Sequence, residues 1–136
     1  MPFEIETLLP HRPPMQWIES LDECTDTEAK ATVRFSKDHF AVADMAVLES
    51  ALVECVAQTV AAALGCRARQ QGNAGKPGAG MLAAVSNFKI AKRPPLDAPL
   101  EIVVKEVKRL GPMLMVSGKI THQADLIASG ELSLYA

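Results

Sequence analysis

The stretch from Val47 to Leu64 constrains the fold of this chain more than any other segment. It contains no proline or glycine, and alanine is frequent. Gly65 follows it at the position expected of a C-terminal cap, so the stretch predicts one long helix. Glu54 is its only charged residue apart from Glu49 near the start. Because a helix that is apolar on most sides must be covered on most sides, the rest of the chain is expected to wrap around it.

The flanking segments are predicted to be strands. The clearest period-two pattern lies in Lys30–Phe35, where apolar and polar residues alternate as in a half-buried strand. Proline after Leu9 limits Phe3–Leu9 to a short helical turn, and glycines predict a loop at Gln70–Gly80. The predicted strands are Met15–Glu23, Lys30–Phe35, Met81–Ile90, Leu100–Leu110, Met113–Thr121 and Leu126–Tyr135.

The order of these elements predicts the fold class. Two strands, a long helix and four strands show no regular alternation of strand and helix that would require a parallel sheet. The chain is therefore expected to be α+β, with an antiparallel sheet of about five or six strands wrapped around the helix, the hotdog arrangement. At 136 residues it is expected to form one domain, residues 1–136. One sheet cannot cover the whole helix, which favours a homodimer or a higher oligomer.

Composition excludes several classes of function. Hydrophobic residues make up 49% and charged residues 22% of the chain, and the formal net charge is -2, so no basic field attracts nucleic acid. Cys24, Cys55 and Cys66 are odd in number and lack metal-ligand spacing, which favours a reducing cytoplasm and predicts no metal site. Glu4 and Glu6 replace the basic region of a leader peptide. No uninterrupted apolar run approaches the roughly 20 residues that span a bilayer, so no membrane is expected.

Two segments carry the candidate chemistry. His11 lies in the proline-rich segment Leu8–Met15, and Glu54 lies in the apolar helix, where a carboxyl group is costly to bury. Ser50, Glu54 and Gln58 recur at every fourth position and form a polar stripe without lysine or arginine, which indicates the lining of a cavity or an interface. A histidine base and a carboxylic acid suffice to remove water from a 3-hydroxyacyl thioester.

The segments Leu9–Met15, Glu54–Gln58 and Gly80–Ala84 resemble the hotdog-fold 3-hydroxyacyl-acyl-carrier-protein dehydratases, the FabZ-like family. The similarity covers nearly the whole chain and is greatest to the smaller dehydratases of specialised lipid or aryl-polyene pathways. The resemblance implies that His11 and Glu54 form the active dyad and meet across a dimer interface, one from each subunit. It also implies an acyl carrier protein or coenzyme A thioester as substrate. No further cofactor is expected, because the substrate carries its own phosphopantetheine.

Further substrate contacts are predicted at the start of the helix. Backbone N–H groups at the start of the helix, near Leu48–Ala51, are expected to bind the thioester oxygen, with help from the helix dipole. Glu49, Ser50 and Gln58 are the predicted substrate-binding side chains. The sequence departs from the family pattern here, because Leu48–Glu49 replaces a Pro-Gly step that brings substrate close to the backbone.

Two other functions fit the same residues. A hotdog thioesterase would use Glu54 to activate water or to attack the thioester, and would not need His11. A non-catalytic acyl-binding subunit would need neither group, and would account for the missing Pro-Gly step. His39 and His122 have no carboxylate at an informative spacing and are predicted to be structural or exposed.

Overall fold

The computed structural model describes residues 5–9, 11–72 and 81–135. The description covers a short helix, a long helix and eight strands. The helices are α1 (Ile5–Leu8) and α2 (Glu49–Gln70). The strands are β1 (Ile18–Cys24), β2 (Glu28–Val33), β3 (Val42–Ala43), β4 (Ala46–Val47), β5 (Met81–Ile90), β6 (Leu100–Leu110), β7 (Met113–His122) and β8 (Asp125–Tyr135).

Six of the strands form one antiparallel sheet in the order β1-β2-β6-β7-β8-β5, which confirms the predicted hotdog fold. The sheet covers α2 with alternate residues. In β6, Leu100, Ile102 and Val104 are buried, whereas Glu101 between the first two and Lys105 after the last are exposed. The core therefore lies between one face of the sheet and the central helix.

Helix α2 is mostly buried under this sheet. By length and composition it could cross a membrane, since its most apolar window has a mean hydropathy of 1.3, but 72% of that window is buried within this fold. The apolar composition is thus accounted for by packing against the sheet.

The predicted end of the central helix was wrong. Gly65 is buried inside α2, and the helix continues to Gln70, where the Gln71 N–H donates to the carbonyl groups of Arg67 and Ala68. A glycine within a helix costs about 1 kcal/mol relative to alanine, and burial of the surrounding turn offsets that cost. At the other end, Val47 belongs to β4 and the helix begins at Glu49.

The sequence also misplaced the start of β1 and missed a hairpin. The Met15 N–H donates to the Arg12 carbonyl at 2.8 Å, so Met15 closes a turn and β1 begins only at Ile18. Strands β3 and β4 pair with each other just before α2. Most of the predicted loop, residues 73–80, lies outside the described residues, as do the first two positions, 3 and 4, of the predicted first turn.

Candidate active site

The loop that carries His11 is braced by its own side chains. Arg12 Nη1 donates to the carbonyl groups of Leu9 and His11, each at 2.8 Å. Trp17 Nε1 donates to the Pro14 carbonyl at 2.8 Å. These bonds hold the backbone on both sides of His11.

Gln58 attaches the loop to the central helix. Its amide nitrogen donates to the Met15 carbonyl at 2.7 Å and to Glu54 Oε2 at 3.0 Å. Its amide oxygen accepts the N–H of Trp17 at 2.9 Å and that of Ile18 at 3.4 Å. Gln58 is 0% exposed, so a single buried amide is bonded to both the loop and the glutamate.

His11 and Glu54 come together at this attachment. His11 Nε2 lies 3.3 Å from Glu54 Oε2, and the two side chains retain 29% and 31% of their exposed surface. His11 Nδ1 is buried, and no hydrogen-bond partner for it is recorded among the described residues. Nε2 is therefore the ring nitrogen positioned to exchange a proton with Glu54.

The contact between His11 and Glu54 lies within one chain, and the expected pairing of the two residues across a dimer interface stays a prediction. Gln58 holds the His11 loop against the helix that carries Glu54, and this brings the two side chains of one chain together. Arg12 and Trp17 hold the loop in that position from within.

The predicted polar stripe becomes more buried along the helix. Ser50 is exposed, Glu54 is half-buried and Gln58 is fully buried. Since all the hydrogen-bonding atoms of Gln58 are engaged within the chain, Gln58 supports Glu54 and the loop, and its role as a direct substrate contact stays a prediction. Glu49, at the first position of α2, is exposed at a cavity of about 320 Å³ that Leu48, Leu52 and Arg93 also line.

The start of α2 leaves backbone donors for a ligand oxygen. Leu48 is the N-cap and has no side-chain capping hydrogen bond; its own N–H donates to the Ala41 carbonyl. The Ala51 N–H donates to the Leu48 carbonyl at 3.0 Å. The N–H groups of Glu49 and Ser50, in the first turn, have no acceptor one turn earlier in the helix.

His39 has a structural role in the fold. Its ring packs edge-on against Phe35 at 4.8 Å and Trp17 at 5.5 Å between centroids. His39 Nδ1 accepts the Ala41 N–H at 2.9 Å, and burial lowers the pKa of His39. His122 is half-buried at the end of β7.

Cys55, next to Glu54 in sequence, is the neighbouring group that could also react. Burial, with a smaller effect of the Glu54 charge, raises the pKa of the Cys55 thiol, which makes it a packed thiol rather than a nucleophile. In the described parts of the chain, no three His, Cys, Asp or Glu side chains cluster as metal ligands would.

Sequence reasoning missed Arg12 and Trp17 as supporting residues. Arg12 is adjacent to His11 in sequence, so its place in the Pro-His-Arg segment was an available signal. Trp17 supports the loop through the hydrogen bond from its Nε1 to the Pro14 carbonyl, and the sequence gives no sign of that bond.

The fold and this geometry together define a hotdog protein with a histidine and a glutamate in contact beside its central helix. The model of the ApeP-like family, described as ApeP dehydratase, matches residues 3–136. The chain therefore belongs to the ApeP-like family and is a dehydratase.

Solved structures share the fold at low sequence identity. The dehydratase heterocomplex ApeI:P from Xenorhabdus doucetiae has a TM-score of 0.87 at 19% identity, covering 98% of this chain and 90% of that one. An uncharacterized protein from Pyrococcus horikoshii has a TM-score of 0.71 at 13% identity, covering 99% and 93%. A hypothetical thioesterase with coenzyme A from Streptococcus pneumoniae TIGR4 has a TM-score of 0.67 at 14% identity, covering 85% and 83%. A comparison with curated protein sequences gives no significant match.

Proposed function

We propose that this dehydratase converts a 3-hydroxyacyl thioester into the trans-2-enoyl thioester, with His11 as general base and Glu54 as general acid. The observation that carries the proposal is the 3.3 Å separation between His11 Nε2 and Glu54 Oε2. The proton on C2 and the hydroxyl group on C3 leave from adjacent carbons. A base and an acid that remove them must therefore lie within a few ångströms of each other, and both must reach solvent-borne substrate.

The same contact supports a route for resetting the pair. His11 takes the C2 proton, Glu54 gives its proton to the C3 hydroxyl, and that group leaves as water. His11 then carries one proton too many and Glu54 one too few. Return of the proton across the 3.3 Å gap restores both groups without any other residue.

The developing negative charge on the thioester oxygen needs hydrogen-bond donors. We assign this role to the backbone N–H groups of Glu49 and Ser50 at the start of α2, where the helix dipole adds a positive potential. Glu49 lines the adjacent cavity, and its negative charge would repel the developing charge on the thioester oxygen. Arg93 lines the same cavity, and its positive charge offsets that repulsion.

We propose a thioester carried by phosphopantetheine as the substrate, on an acyl carrier protein or coenzyme A. Coenzyme A in the pneumococcal hotdog structure supports this class of carrier. Cys24, Cys55 and Cys66 are free thiols, in keeping with the proposed cytoplasmic location. We further propose assembly with a second hotdog chain, either another copy or a different one as in the ApeI:P heterocomplex.

The test is turnover of a short 3-hydroxyacyl thioester by the purified protein, followed by enoyl absorbance and by free-thiol release in parallel. We expect enoyl formation without thiol release. Both His11→Ala and Glu54→Gln should lower the rate by about 10²- to 10⁴-fold, the usual contribution of a general acid or base.

The melting temperature of each variant is the control. Glu54→Gln keeps the shape of the side chain, so the fold should hold while activity is lost. Thiol release that depends on Glu54 alone would replace the proposal with a thioesterase. Enoyl formation that neither substitution affects would remove the dyad from the mechanism.

A further inference from the structure

Two of the three free cysteines meet at the far end of the central helix. Cys24, the last residue of β1, is half-buried, and its Sγ lies 3.8 Å from the Ala63 carbonyl oxygen in α2. Cys66 is buried three residues further along α2. A helical side chain leans over the turn that precedes its own Cα, which places the Cys66 thiol over the turn containing Ala63. The Cys66 thiol accordingly lies beside the Cys24 thiol.

The neighbouring backbone is already fixed in this arrangement. Arg67 Nε donates to the Thr25 carbonyl at 2.8 Å, which ties the residue after Cys24 to the residue after Cys66. A covalent bond between the two sulfurs would therefore join segments that the native contacts already hold together.

We propose that Cys24 and Cys66 form a reversible intrachain disulfide when the chain meets a small disulfide oxidant such as oxidised glutathione. The Cys24 thiolate attacks one sulfur of the oxidant, and the first glutathione leaves as its thiol. The Cys66 thiolate then attacks the Cys24 sulfur of the mixed disulfide and releases the second glutathione. Two protein thiols are oxidised and one glutathione disulfide is reduced to two thiols, so electrons and protons balance.

The surroundings of the two sulfurs determine the order of these steps. Cys24 is the more exposed thiol and is reached first by a solvent-borne oxidant. Burial, with the Cys24 contact as a smaller cause, raises the pKa of Cys66 to about 12, so Cys66 reacts second and slowly. Once formed, the bond lies against α2 and is partly shielded from reductant.

Cys55 is a matched internal control. It is also a buried thiol of α2. It precedes Cys66 by eleven residues, a distance of about 16 Å along the helix axis. It is therefore expected to stay reduced under the conditions that link Cys24 to Cys66.

The experiment incubates the purified protein in glutathione buffers from fully reduced to fully oxidised, followed by alkylation in denaturant, intact mass measurement and peptide mapping. We expect alkylatable thiols to fall from three to one, with a linked peptide pair containing Cys24 and Cys66 and with Cys55 alkylated. The melting temperature should rise by on the order of 10 °C, because the crosslink restricts the unfolded chain.

Variants separate the two steps. Cys55→Ser should still form the crosslink, whereas Cys66→Ser should stop at a glutathione adduct on Cys24. Three alkylated thiols at every glutathione ratio would overturn the proposal, as would a lasting glutathione adduct or a Cys24 crosslink between chains in the wild-type protein. The peptide map of the wild-type protein decides the matter even if a variant folds poorly, and its result does not depend on the dehydratase mechanism.

Discussion

The side-chain amide of Gln58 holds both parts of the candidate site, the His11 loop and Glu54. It donates to the Met15 carbonyl and to Glu54 Oε2, and it accepts two backbone N–H groups. Gln58→Glu keeps the size of the side chain but removes both donors and buries a carboxyl group close to that of Glu54. We expect the dehydratase rate to fall at least about 10-fold and the free energy of unfolding to fall by about 2–4 kcal/mol. Enzyme assay and urea unfolding measure the two effects.

The same substitution at Gln70 is the matched control, because Gln70 is exposed in the last turn of α2. Gln70→Glu should change activity little and stability by less than about 1 kcal/mol. Equal losses in the two variants would mean that Gln58 has no special role in positioning the site.

A second prediction at the residue scale concerns acid. Burial lowers the pKa of His39 from its usual 6.5, and its Nδ1 must stay unprotonated to accept the Ala41 N–H. Below about pH 6.5 the unfolded chain binds a proton that the folded chain resists, so this contribution to stability is present above that pH and is lost as the pH falls. His39→Gln should flatten the dependence of unfolding free energy on pH between about 5 and 7. Parallel curves for the two proteins would contradict this assignment.

At the scale of elements, the approach of α2 to the sheet depends on a glycine in β7. A Cβ atom added at Gly118 would lie 2.5 Å from Val56 Cγ1 of α2, closer than any relaxed contact. Gly118→Ala should therefore destabilise the fold by about 1–3 kcal/mol through overpacking. Val56→Ala removes the opposing methyl groups, so the double variant should be more stable than the sum of the two single losses predicts. Simple additivity in urea unfolding would show that the helix and the strand relax apart.

The central element was predictable from sequence because its signal is internal to the segment. An apolar stretch without proline and with one interior carboxylate predicts a helix that is buried on most sides. The period-two pattern around β6 predicts the sheet that buries it. The end of the helix was not predictable, because the local signal at Gly65 is outweighed by burial among residues distant in sequence. Likewise, the sequence indicated His11 and Glu54, but their contact depends on hydrogen bonds from Gln58 to residues 40 to 43 positions earlier in the chain.

At the scale of the whole molecule, β5 is an edge strand at which a second chain can pair. It is an outer strand of the sheet, and its apolar residues Leu82 and Val85 are 40% and 44% exposed. A long apolar edge strand is a template for pairing with another chain. If the proposed self-association pairs two copies of β5, Val85→Lys should weaken it at least about 10-fold, because it sets like charges against each other. Val107→Lys, at a 56% exposed valine of β6, should leave self-association unchanged. Sedimentation velocity over a range of concentrations measures both, and equal effects would place the interface elsewhere.

The contact between His11 and Glu54 within one chain makes a further prediction about the assembled molecule. If each site takes both residues from one subunit, a hybrid of a His11→Ala chain with a Glu54→Gln chain contains no intact pair and should be inactive. A hybrid of a wild-type chain with a chain carrying both substitutions keeps one intact pair and should retain about half of the wild-type activity. Pairing across the interface would exchange these results, because the first hybrid would then hold one intact pair and the second none. Two affinity tags and sequential purification isolate each hybrid, and the enoyl assay on the two preparations determines which chain completes the site.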